Sequence, residues 1–251
     1  MTEPQALLRL LAWLSPAFPT GGFAYSHGLE WAVQAGDLRD GDSLRDWLND
    51  VLTHGSGRSD AILLRHAHRS WHDAAALYEI AELARAVAPS RERRMETVAQ
   101  GMAFELAAGA WLSTLPPPHS SCPGLTRASL AAATVPPVEV DCRVKPGNDG
   151  ISKIAYPGAV GALTGAHGIP EHDAALAYLH ALTSNLISAG VRLIPLGQSA
   201  GLAVLAALEP TLLSVADDTR EATLDDIGGC TFRADIASMR HETQYTRLFR
   251  S

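Results

Sequence analysis

Apolar residues in this chain recur at helical spacing in segment after segment, and almost nowhere in the alternation that a half-buried strand needs. Leu44, Trp47, Leu48, Val51 and Leu52 form one stripe, with Ser43 as the expected cap and Asp46 in the first turn, where the helix dipole favours it. Ser59 is expected to cap a helix through about His68. Asp73 starts another, with Leu77, Ile80, Ala84 and Val87 turned inward. Pro89 stops it, and Ser90 suits the cap of a long helix from Arg91 to about Leu112. Pro170 opens a helix with the stripe Leu176, Leu179, Leu182, Thr183, Leu186 and Ile187, and Gly190 fits its C-terminal cap. Gly197 to Leu208 is an apolar helix expected to end at Pro210, and Ile236 and Met239 mark a last one. The expected fold is all-α: a single-domain helical bundle of roughly eight to ten helices of ordinary length.

One segment breaks the pattern. Thr114 to Ile154 contains Pro116 to Pro118, "TVPPVEVDCRV" and "KPGNDG", and its apolar residues have no helical period. It also holds the chain's only lysines, Lys145 and Lys153; elsewhere every basic residue is Arg or His. Such foreign usage reads as an insertion at about 114–154 within one domain spanning 1–251. A Pro-rich excursion of this length is either functional or disordered, and the composition favours disorder. Val138 to Val144 could form a short strand.

Charge and cysteine usage exclude several classes. The chain has 251 residues, 47% hydrophobic, and a formal charge of −7 without a basic block, which argues against nucleic acid as a partner. Glu3 and Arg9 interrupt the first apolar run, so Met1 to Ser15 is expected to be a docked amphipathic helix and not a secretory leader. No uninterrupted apolar run is long enough to span a bilayer, so no membrane is expected and the protein is expected in the cytoplasm. Cys122, Cys142 and Cys230 have neither metal-type spacing nor the count of a disulfide framework.

The chemically unusual stretch is "FPTGGFAYSHGLEWA", Phe18 to Ala32. Gly21 and Gly22 before a helix invite a phosphate-loop reading, but no G-x-x-x-x-G-K-[ST] occurs and no lysine precedes Lys145. His27 and Glu30 stand one helical turn apart and could act as an acid–base pair or as two metal ligands. A catalytic zinc site normally needs three protein ligands, and a solvated polar face is the plainer account. The same holds for His54, His66, His68 and His72. G-x-S-x-G and H-E-x-x-H are absent, so neither a catalytic set nor a metal site is expected. What remains is a Gly-Gly turn carrying Phe23, Tyr25 and Trp31 into the core or toward a partner.

Three distant motifs carry a resemblance. "SPAFPTGGFAYSHGLE" (Ser15 to Glu30), "RLIPLGQSAG" (Arg192 to Gly201) and "MRHETQYTRLFRS" (Met239 to Ser251) resemble, in order, signatures of the urease accessory protein UreF family. "RRMETVAQG" (Arg93 to Gly101) and "YPGAVGAL" (Tyr156 to Leu163) are similar to the same family and bracket the insertion. The resemblance implies a helical homodimer with no reaction of its own. It implies a bridge between a UreD/UreH-type accessory protein and a UreG-type GTPase, assembled on apo-urease for GTP-dependent nickel insertion, possible regulation of the GTPase included. It implies no resident cofactor, with nickel at most passing through. The UreD/UreH-type partner is expected on Gln244, Tyr245, Arg247, Leu248, Phe249 and Arg250. Gly21, Gly22, Phe23, Tyr25, His27 and Glu30 are expected to face the GTPase or to shape a turn. Arg192, Pro195, Gly197 and Gln198 are expected to form a dimer or core element. The alternatives are a generic helical interaction scaffold, or an enzyme using His27 and Glu30.

Overall fold

A computed structural model describes residues 4–112 and 154–251, and those residues form helices and no strands. The helices are α1 (Pro4–Trp13), α2 (Leu29–Gln34), α3 (Gly41–His54), α4 (Ser56–Arg69), α5 (Ala74–Ala86) and α6 (Arg91–Leu112). After the undescribed residues come α7 (Tyr156–Ala166), α8 (Glu171–Leu193), α9 (Gln198–Asp218) and α10 (Phe232–His241). Short 3-10 turns lie at Gly22–Ala24 and Leu224–Asp226. The insertion, its short strand Val138 to Val144, and Cys122 and Cys142 lie outside the described residues; only Ile154 of that segment is inside.

The centre is close-packed. α7 is buried along nearly its whole length and packs most extensively on α4. Their backbones touch at glycines: a Cβ on Gly161 would stand 2.1 Å from the Leu64 carbonyl oxygen, and one on Gly165 2.4 Å from that of His68. No other residue fits without separating the helices. α3, α8 and α9 build the largest apolar cluster around Leu44, Leu48, Leu186 and Leu208. A second cluster joins α1, α6 and α7 through Trp13, Phe104 and Val160. Arg65, 2% exposed, pins α4 to α8 and α9: it donates to Glu171 Oε1 at 2.6 Å and to the Ala216 carbonyl at 2.5 Å.

Several helix boundaries differ from those read in the sequence, each for a local reason. Asp40, not Ser43, caps α3: its carboxylate accepts the Ser43 N–H at 2.9 Å while the Ser43 hydroxyl accepts the Asp40 N–H at 3.1 Å. Ser59 lies inside α4, which begins after Gly55. Gly190 is interior to α8, where a Cβ would meet the Leu44 side chain at 2.7 Å. Val87 faces outward. α9 runs through Pro210, because Ala206, whose carbonyl loses its donor there, is exposed to water. α8 and α9 are both long and apolar enough to cross a membrane by length and average composition, although charged residues interrupt each, Arg192 in α8 and Glu209 in α9 among them. Both lend side chains to the apolar cluster with α3, as core helices do.

Candidate protein-contact site

The first motif is a chain of unusual backbone conformations. Gly21 (φ 74°) opens the 3-10 turn, whose Gly22 carbonyl accepts Asn185 Nδ2–H at 2.9 Å. Phe23, in the middle of the turn, is 69% exposed. His27 (φ 54°) and Gly28 (φ 80°) are both left-handed, and they swing the chain into α2. Gly28 has no alternative: a Cβ there would sit 2.5 Å from the Ser238 backbone nitrogen of α10.

That turn sends His27 and Glu30 in different directions. His27 Nε2 lies 2.7 Å from Glu96 Oε1 and 2.6 Å from Arg93 Nη1 of α6, and it engages one of them at a time. Burial first, then Arg93, lowers the His27 pKa and favours the neutral ring. Burial opposes ionisation of Glu96, but Arg93 and His27 together outweigh it and hold the carboxyl down at about 2. Arg93 also pairs directly with Glu96. Glu30, at the start of α2, faces α10 and the C-terminal tail instead. Its carboxylate accepts the N–H of Leu248 at 2.6 Å and of Phe249 at 2.9 Å, and His241 Nε2 stands 3.2 Å away. The acid–base pair expected of the enzyme alternative is therefore not formed: the two side chains have separate partners.

The tail closes onto the first motif. Ser26 donates both its N–H, at 2.8 Å, and its hydroxyl, at 2.5 Å, to the Ser251 carbonyl oxygen. Ser251 Oγ donates to Glu96 Oε2 at 2.7 Å, and the Arg250 N–H to the Ala24 carbonyl at 2.8 Å. Arg247 donates to Glu92, which also meets His241 Nδ1 at 2.6 Å. Gln244 donates to Gln34. Phe249 is 4% exposed and belongs to the main apolar cluster, whereas Leu248 is 67% exposed and Tyr245 fully so. The tail thus orders on its own chain, and within it Tyr245 and Leu248 are the large apolar side chains turned outward.

Arg192 brings in the third motif. Its guanidinium lies 4.3 Å from the centre of the Phe249 ring and donates to the Phe23 carbonyl at 2.8 Å. Beyond it, Pro195, Gly197 and Gln198 are exposed at the α8–α9 connection, so the core half of that expectation fails for them. Tyr25 is half-buried beside Arg250. Glu92, Arg93, Glu96 and His241 were not assigned a role from the sequence, yet they hold the site together. Their signal was present: Arg93, Glu96 and Gln100 recur at helical spacing on the buried face of α6. α10 carries a second unassigned feature, an outward stripe of Phe232, Ile236 and Met239. Among the described residues no group of three His, Cys, Asp or Glu is placed to hold a metal ion.

An all-helical chain whose distant motifs close on one another around buried charges, with aromatic and aliphatic side chains left on the outside, has the make-up of a protein-contact subunit. Comparison with known proteins gives the family. The UreF family model matches residues 38–209. The chain is 53% identical over 252 aligned positions to the urease accessory protein UreF of Bradyrhizobium sp. (strain ORS 278), covering 99% of this chain and 93% of that protein. It is 51% identical to the protein of that name from Rhodopseudomonas palustris (strain BisB5), with 99% and 93% covered. For the one from Xanthobacter autotrophicus the identity is 47%, with 99% and 92% covered. The chain belongs to the UreF family.

Proposed function

We propose that this chain is a non-catalytic bridging subunit of urease maturation. It acts in the cytoplasm as a homodimer, joining a UreD/UreH-type accessory protein to a UreG-type GTPase while nickel, the cargo, is loaded into apo-urease as GTP is hydrolysed. The observation that carries this reading is the anchored tail. Glu30 and Glu96 hold it at Leu248, Phe249 and Ser251, and Phe249 is committed to the core, which leaves Tyr245 and Leu248 displayed for the UreD/UreH-type partner. A preorganised apolar pair binds without the cost of ordering a free tail. The exposed Phe23 turn, tied to the tail through Arg192, supports a second contact face for the GTPase and a means of regulating it. Leu202 and Leu213, exposed on α9 beyond Pro195, Gly197 and Gln198, support the homodimer.

Co-purification tests the proposal. The wild-type chain is expected to capture both the UreD/UreH and the UreG homologue. Replacing Tyr245 and Leu248 together by Ala should abolish capture of the former and leave helicity and thermal midpoint unchanged. Full capture by that double variant, or no capture by the wild type, contradicts the reading.

A further inference from the structure

A cavity of about 240 Å³ opens between α4, the α5–α6 corner and α10. Ser59 and Arg93 lie buried in its wall, and Val87 and Met239 are exposed at its rim. Two carboxyls line it, Asp60 from α4 and Asp235 from α10. Asp60 accepts the Tyr178 hydroxyl at 2.9 Å, and Asp235 takes a hydrogen bond from the Thr231 side chain. Among the described residues neither is in a salt bridge. Arg93 is the nearby cation, and its charge is matched by Glu96. Met239 belongs both to this rim and to the outward stripe of α10, so the cavity is continuous with an exposed apolar surface.

We propose that this cavity receives the head of an arginine or lysine side chain from a protein docked on the α10 stripe. The fit is one of charge and shape. The methylene stem lies along Val87, Pro89 and Met239, as basic side chains lie on apolar surface, and the head meets the carboxylates, which are in no salt bridge among the described residues. A chain of net charge −7 with this cavity suits a partner face that is apolar with a projecting cation. Asp60 supports the assignment. Burial pushes its carboxyl up to about 6 despite Arg93 and the Tyr178 hydroxyl. A carboxylate kept ionised at neutral pH against that penalty fits a group retained for binding.

The proposal goes beyond the bridging role, and its first test needs no partner. Agmatine, a guanidinium on an aliphatic stem, is titrated near neutral pH into the isotope-labelled chain, with butanol as the neutral control. Saturable amide shifts are expected at Val87, Thr231, Asp235 and Met239 with agmatine only. Asp235→Asn should weaken binding by about tenfold or more. Asp60→Asn should do the same while raising the thermal midpoint, which a merely structural Asp60 would not do. Asp235 is only half-buried, so its variant reports even if Asp60→Asn folds poorly. In a second arm, excess agmatine should weaken capture of the UreD/UreH homologue. Absent shifts, equal binding of butanol, undiminished binding by Asp235→Asn, or capture indifferent to agmatine overturns the proposal. A wild-type chain that captures no homologue contradicts the bridging role instead, and the titration still decides the chemistry of the cavity.

Discussion

The α4–α7 seam and the tail hub are both deeply buried, yet they are built from opposite materials. At the seam, Gly161 and Gly165 let two backbones touch, and α7 is buried there along nearly its whole length. At the hub, α2, α6, α10 and the tail meet through Glu30, Glu92, Glu96, Arg93 and His241. Apolar packing would stabilise such a junction at least as well, because burying charges costs desolvation that pairing only partly returns. What the charges add is direction. A carboxylate that accepts two consecutive tail amides fixes where the backbone runs, and so which side chains face out. The seam holds the fold together; the hub sets what the fold displays.

The largest expected effect comes from breaking the hub. Glu96→Gln leaves Arg93 buried without its countercharge and should cost about 3–5 kcal/mol of unfolding free energy, read from urea midpoints. Breaking the seam ranks next. Gly161→Ala forces a Cβ against the Leu64 carbonyl and should cost about 1–3 kcal/mol. Gly109→Ala is its control: nothing lies within 4 Å of the added methyl, so it should gain about 0.5–1 kcal/mol from helix propensity.

Acid separates the two regions more finely. The Glu96 carboxyl is held at about 2, below its ordinary 4.5, so its contribution is complete above about 4.5 and is lost as pH falls toward 2. Stability measured across that window should fall in the wild type and fall less in Glu96→Gln, while Gly161→Ala keeps the wild-type slope. The smallest effect has the opposite sign. Asp60 is raised from 3.8 to about 6, so folding favours its protonated form, and that advantage is lost as pH rises through 6. Asp60→Asn should raise the thermal midpoint at neutral pH and change it little below pH 3.8.

Much of this was legible in the sequence, and the rest failed for identifiable reasons. The apolar stripes of α3, α5 and α8 gave the helices because burial of one face is written into their spacing. Cap positions slipped where two candidate residues stood three apart, as with Asp40 and Ser43. The polar hub was only half visible. His27 and Glu30 stood out, but their partners lie 69 and 211 residues away in sequence, and no local pattern couples such distances. The tail's division of labour, Phe249 inward and Leu248 outward, follows from the two amides bound to Glu30, which periodicity cannot encode. The cavity at Asp60 has no linear signature, since its lining comes from α4, α5, α6, α7 and α10.

Amide hydrogen exchange at Leu248 and Phe249 in the isolated chain tests most directly whether buried carboxylates anchor the tail. Both N–H groups donate to Glu30. They should exchange slowly in the wild type and at least about tenfold faster in Glu30→Gln, with helical-core amides unchanged. Rapid exchange at both positions in the wild-type chain would contradict the account, because a tail that is free before it meets a partner displays nothing in advance.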